Sequence, residues 1–281
     1  MTGGGLRVEY VEARRVLLDA LDALREQLDA VVLAGAQAVY LRTEGRLAGY
    51  QPFTTDADLV LDPARLVPTP SLGDAMMAAG FVLTPEPGVW EARFQRPGME
   101  EEVVVPVDLI VPAHLAPKAG RRAARLPDEH GKTTARKSLG LEGTVVDYDA
   151  MVLSAFEPSD PRQITVNVAG VAALFVAKLH KLGDRLATPE RLQPKDAGDV
   201  YRLFESTAPD EMATTLGTLL SDERSATTTE EALGHARRLF LTPASPGVAL
   251  AASALRGLMP EATVGAVVIN YTRSVLALLG R

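Results

Sequence analysis

Apolar and polar positions along the chain change period near its middle. Val11, Val16, Leu17, Leu21, Leu24 and Leu28 recur at helical spacing and predict an amphipathic helix from Tyr10 to Leu28. A short apolar strand follows over Ala30–Ala34, then a turn at Gly35 and a helix from Ala36 to about Thr43. Glu44 to Thr54, with Gly45, Gly49 and Pro52, reads as loop. Further strands are expected at Asp56–Leu61, Phe81–Leu83, Val89–Gln95, Val103–Val111, Gly143–Tyr148 and Ile164–Val168, with a short helix at Ser71–Ala79. From Val171 the period is helical throughout: Val171–Leu186, Pro194–Glu205, Asp210–Leu220, Thr229–Phe240, Pro246–Leu258 and Glu261–Leu279.

This pattern predicts an α+β protein of two domains. Residues 1–160 would carry a mixed sheet with flanking helices, and residues 161–281 would be all-helical. The boundary falls at Glu157-Pro158-Ser159-Asp160-Pro161, where proline and polar residues interrupt both periods. The 281 residues are enough for a sizeable core.

Composition narrows the chemistry. Cys is absent, which removes disulfides and thiolate metal sites. The 4 His show no metal-ligand spacing, so any metal is expected on oxygen ligands, as Mg²⁺ or Mn²⁺. A net charge of −7 argues against a protein that coats nucleic acid non-specifically, while leaving room for one local basic groove. No apolar run is long enough to span a bilayer, and the N-terminus lacks the apolar segment of a signal peptide. A cytoplasmic protein is expected.

Candidate chemistry centres on Thr54-Thr55-Asp56-Ala57-Asp58-Leu59-Val60-Leu61. Side chains alternate along a strand, so Asp56 and Asp58 would share a face, and their mutual repulsion calls for a cation. The alternative is a pair of solvated aspartates at a strand edge. Asp108 lies inside the apolar run Val103–Val111, where an unpaired charge would be costly; beside the Asp56 strand it would complete a set of three carboxylates. Pro106 points instead to an edge strand, with Asp108 at the end of the sheet. The Gly35 turn can offer backbone N–H groups to phosphate, or can simply be the glycine of a strand-to-helix turn. In the helical half, Lys178, Lys181 and Arg185 form one stripe, and Asp196 and Asp199 open the next helix in positions to orient them. The stretch Lys118–Lys137, with Arg121, Arg122, Arg125, Lys132 and Arg136, could grip an RNA backbone or be a solvated loop.

Taken together, the Gly35 turn, Asp56-Ala57-Asp58 and Asp108 resemble the nucleotidyltransferase fold of the DNA polymerase β type. The run Ala177-Lys178-Leu179 to Asp184-Arg185, followed by Lys195-Asp196-Ala197-Gly198-Asp199-Val200, is similar to the AbiEii/MenT-type toxins of toxin–antitoxin systems. The resemblance covers about Gly35 to Leu203. It implies a nucleotidyltransferase-type N-terminal domain that moves NMP from an NTP to an RNA acceptor such as the tRNA 3′ end, releasing pyrophosphate. It further implies Asp56 and Asp58 (with Asp108 as third carboxylate) as ligands of Mg²⁺ or Mn²⁺, and Gly35, Ala36, Lys178 and Arg185 as nucleotide contacts. Lys178 and Asp196 would serve catalysis, and an antitoxin protein is an implied partner. The family's turn usually reads Gly followed by Gly or Ser; Ala36 has no hydroxyl for a phosphate. Two other readings remain: nucleotidylation of a small molecule or protein, and a catalytically weak module that binds an antitoxin-like partner.

Overall fold

The computed structural model describes residues 6–44, 47, 53–96, 98, 100–116, 122–188 and 191–281. Gly45, Gly49 and Pro52 of the expected loop, and Lys118 and Arg121 of the basic stretch, lie outside them. The protein is mixed α/β, with a mixed sheet and a helical C-terminal half. It forms two compact units: Met1–Gln37, Gln51–Ser138 and Tyr148–Val168 make the first; Ala38–Tyr50, Leu139–Asp147 and Ala169–Arg281 make the second. The sheet therefore draws on residues from both sides of the boundary read at 160/161.

The first unit opens with helix α1 (Val8–Ala23), which a 3-10 turn at Arg25–Ala30 follows before strand β1 (Val31–Ala34). The single helix expected to Leu28 is thus shorter, because the spacing of Leu24 and Leu28 does not distinguish an α-turn from a tighter one. Gln27 pins that tighter turn, donating to the carbonyls of Val67 and Pro70 at 2.7 and 2.8 Å. Next come helix α2 (Gly35–Arg42), which belongs to the second unit from Ala38 on, then β2 (Ala57–Leu61), α3 (Leu72–Ala78), β3 (Val82–Leu83), β4 (Val89–Gln95), β5 (Glu102–Pro112), β6 (Arg136–Ser138), β7 (Tyr148–Ser154) and β8 (Gln163–Ala169). The sheet order is β3-β4-β5-β2-β1-β8-β7, with β6 also paired to β5. β1 runs antiparallel to β2 and parallel to β8; β2 and β5 are parallel. All four residues of β1 are buried, as a central strand with covered faces requires.

Two local expectations change. Pro106 does not mark an edge, since β5 has β4 on one side and β2 on the other. The β2 ladder starts at the pair Ala57–Val107, so the missing N–H of Pro106 falls just outside it. The strand expected at Gly143–Tyr148 is a 3-10 turn over Glu142–Val145, and β7 begins only at Tyr148. The β-branched run Thr144-Val145-Val146 imitates a strand. Asp147 ends it for a reason the run does not carry: its carboxylate accepts the Ala173 N–H at 2.9 Å, satisfying a donor in the first turn of the next helix.

The second unit is built on helix α4 (Val171–Asp184), followed by α5 (Pro194–Ser206), α6 (Pro209–Ser221), α7 (Ala226–Phe240), α8 (Pro246–Ala254) and α9 (Glu261–Leu278). Proline stands in the first turn of α5, α6 and α8, where its fixed φ and absent N–H cost nothing. α4 packs on α5, α6 and α7. Among the described residues no helix is long and apolar enough to cross a membrane.

Candidate functional site

The antiparallel register of β1 and β2 sets Ala34 opposite Asp58. One residue later the chain turns into α2 at Gly35, whose φ is +66°. That conformation favours glycine by itself. A second constraint is steric, because a Cβ at Gly35 would overlap Asp58 Oδ2 and stand 2.8 Å from its Cγ. The Asp58 carboxylate thus lies against the first residue of α2, where a helix start favours negative charge. A phosphate brought to the same turn would meet that carboxylate, and a cation between the two would offset the repulsion.

Asp58 and Asp108 are Cα partners on the neighbouring parallel strands β2 and β5. Asp108 does not stand alone: Arg136, on β6, donates to its Oδ2 at 2.6 Å. Asp56, one residue ahead of β2, is exposed and accepts a hydrogen bond from the Thr54 hydroxyl. Its main-chain oxygen accepts from Gln37 Nε2 at 3.1 Å. Gln37 also donates to Ala13 O and receives Arg14 Nε, so this buried amide ties the carboxylate segment to α1 and α2.

Among the described residues, Asp56, Asp58 and Asp108 are not in a group of acids and histidines whose ligand atoms all fall within 4.8 Å of one another. Oxygen donors at Asp56 and Asp58 suit a hard divalent cation. At Asp108 a guanidinium already supplies the positive charge. Arg136 was counted with the basic stretch that could face RNA; it is instead engaged with a carboxylate. Of the same stretch, Arg122 lies 3.7 Å from Glu86, while Arg125 and Lys132 are exposed.

The second group of expected site residues lies in the helical unit. Lys178 is 5% exposed, and its Nζ stands 3.0 Å from Asp196 Oδ1 and 2.6 Å from Asp199 Oδ2. Asp196 also receives Lys181 at 3.0 Å and Arg185 at 3.2 Å. Burial alone would push the Lys178 ammonium toward neutrality, but the Asp199 and Asp196 carboxylates outweigh it and raise its pKa above the usual lysine value. Burial likewise works to raise Asp196, yet Lys178 and Lys181 hold its pKa below the ordinary carboxylate range. Lys178 is therefore a charged, enclosed link from α4 to α5. Lys181, on the exposed rim, and the half-buried Arg185 are the cations of this group that solvent reaches.

The structure thus brings Gly35 and Asp108 to Asp58 in the sheet unit, leaves the Asp56 side chain exposed with Thr54, and brings Lys178, Arg185 and Asp196 together in the helical unit. Sequence reasoning missed Gln37 and the Asp108–Arg136 pair. Gln37 is a polar residue within an apolar helix, and that was the available signal. No protein-family model matches the chain, and no curated protein matches it.

Proposed function

We propose that this protein is a metal-dependent nucleotidyltransferase. Its sheet unit would present Asp56 and Asp58 to a divalent cation and the Gly35–Ala36 turn to nucleotide phosphate. The carrying observation is the pair Gly35–Asp58: a positive-φ glycine whose missing side chain leaves the space that the carboxylate fills, at the start of a helix. Mg²⁺ or Mn²⁺, when bound, would supply positive charge between carboxylate and phosphate. An acceptor hydroxyl would then attack the α-phosphorus of an NTP and give up its proton to solvent, the bond to the pyrophosphate oxygen would break, and pyrophosphate would leave. Backbone N–H groups at the turn would hold phosphate oxygens, and the Asp58 and Asp56 carboxylates would fix the cation's position. Gln37 would hold the Asp56 segment in place. Lys178 and Asp196 enter this reading as the link that orders α4 and α5.

The acceptor in this proposal is an RNA end such as the tRNA 3′ hydroxyl, and the biological role is that of a toxin held in check by an antitoxin. Both follow from the resemblance of the sequence motifs. The test is incubation of the purified chain with each α-labelled NTP and total tRNA, with Asp58→Ala as control. Label on tRNA that disappears in the variant supports the proposal; label on protein or small molecule moves the acceptor and keeps the reaction. The Arg136–Asp108 pair favours a second reading, a catalytically weak module that binds a partner protein. Absence of product with every NTP and acceptor would leave only that reading standing.

A further inference from the structure

Helix α4 carries two distinct stripes. Lys178, Lys181 and Arg185 face α5 through Asp196. His180 and Asp184 lie about 160° and about 120° around the helix from Lys178, one turn apart from each other. On that second face His235 arrives from α7, its ring 5.4 Å from that of His180 and at 65° to it. One ligand atom from each of His180, Asp184 and His235 falls within 4.8 Å of the other two.

His180 is 1% exposed, and its Nε2 lies 2.8 Å from the Thr228 carbonyl oxygen. A carbonyl only accepts, so Nε2 carries the ring proton and Nδ1 carries a lone pair. That Nδ1 is buried and has no hydrogen-bond partner among the described residues. A buried acceptor left unpaired is costly, and a histidine whose other nitrogen donates to a carbonyl is the usual arrangement of a metal-bound imidazole.

The backbone makes room for both rings. A Cβ at Gly183 would overlap His235 Nδ1, Cε1 and Cγ, and a Cβ at Gly140 would stand 2.5 Å from His180 Cβ. Gly183 sits in the last turn of α4, where glycine costs up to about 1 kcal/mol relative to alanine.

We infer that His180, Asp184 and His235 bind one divalent cation of the zinc class, clasping α4 to α7, with water completing a tetrahedron. Two imidazoles and one carboxylate suit Zn²⁺ better than Mg²⁺. Ligand atoms around tetrahedral Zn²⁺ stand about 3.4 Å apart, so the three groups close slightly on the ion. Asp184 is exposed and gives the ion a way in. One competitor has to yield: Arg238 donates to His235 Nδ1 at 2.8 Å. Its side chain is exposed and can swing into water.

The test is calorimetric titration of the full chain with Zn²⁺ after chelator treatment and removal, with circular dichroism confirming the fold. Expected are one Zn²⁺ per chain, affinity reduced at least about tenfold in Asp184→Asn and His235→Asn, and affinity increased in Arg238→Ala. Binding should persist in Asp58→Asn, which separates this site from the sheet carboxylates. Because Asp184 is exposed, Asp184→Asn keeps the test meaningful should His235→Asn fail to fold. Co²⁺ should give the ligand-field absorption of a tetrahedral centre. Folded wild-type protein that takes up no Zn²⁺, or binding unchanged in Asp184→Asn, would overturn the inference.

Discussion

Asp58 occupies the volume that a side chain at Gly35 would need, so the two residues specify each other. Gly35→Ala meets two costs, the strain of φ +66° on a residue with a Cβ and the overlap with the Asp58 carboxylate. Positive φ on an ordinary residue costs about 1–3 kcal/mol. In an Asp58→Ala background the overlap with the carboxylate is gone, and the strain remains with only a 3.0 Å approach to the residual Cβ of residue 58. The double-mutant cycle should therefore show positive coupling, with Gly35→Ala losing less stability when Asp58 is already alanine. Urea midpoints of the four proteins measure it. Equal losses in both backgrounds would mean that the turn relaxes away from Asp58.

Arg136 holds Asp108 in an ion pair, beside the Asp58 strand. If Asp56 and Asp58 bind a cation, removing the guanidinium gives that cation a third carboxylate. Arg136→Gln should lower the Mg²⁺ concentration needed for half-maximal nucleotidyl transfer. Asp108→Asn should raise that concentration, since it leaves the Arg136 guanidinium unpaired beside the cation. An Mg²⁺ titration of labelled-nucleotide transfer reads both, and a higher requirement in Arg136→Gln would argue that the arginine itself contacts substrate.

Much of this fold was legible in the chain and some was not, for a physical reason. Helical period and the prolines at 194, 209 and 246 mark the helices of the second unit within a few residues, because those signals are local. The apolar runs of β1, β2 and β5 are equally local. The registers Asp58–Asp108 and Val32–Asn167 join distant segments, and nothing in either segment names its partner. The same holds for the site residues. Asp56 and Asp58 stand out at i, i+2, whereas Arg136 looks like one more cation in a basic stretch. His180 and His235 showed no metal spacing because α4 and α7 bring them together in space alone.

Lys178 is enclosed between Asp196 and Asp199, so its removal leaves two carboxylates short of a partner. Breaking a buried pair from one side costs about 3–5 kcal/mol. Lys178→Met should fall in that range, less whatever Lys181 and Arg185 recover at Asp196. Replacing Lys178, Asp196 and Asp199 together with apolar residues of similar volume should cost less than the single change. Denaturant midpoints compare the two, and a triple variant weaker than Lys178→Met would assign the cluster more than pairing.

The pH dependence of stability follows from the same cluster. Asp196 has a folded pKa below its unfolded value near 3.9, so its contribution is present above that value and lost as pH falls through the lowered one. Lys178 has a raised folded pKa, so its contribution is present below about 10.4 and lost only as pH rises beyond it. Between those limits the pair should be insensitive to pH. Melting temperatures should decline below about pH 4 in the wild type, and Asp196→Asn should flatten that decline while lowering the plateau. An unchanged acid limb in Asp196→Asn would place the lost stability on other carboxylates.

Gly183 offers the last and most discriminating case, because propensity and packing predict opposite signs. By propensity alone, Gly183→Ala in the last turn of α4 should stabilise by up to about 1 kcal/mol. Packing reverses this, since the new methyl would overlap the His235 ring. Gly183→Ala should therefore lower the melting temperature and weaken Zn²⁺ binding, by pushing His235 away from His180 and Asp184. In a His235→Ala background the overlap disappears, and Gly183→Ala should then stabilise, as in an ordinary helix. Thermal melts of the four proteins without added metal isolate the packing effect, and a Zn²⁺ titration of Gly183→Ala reads the site. Stabilisation in both backgrounds would show that the ring does not depend on the glycine.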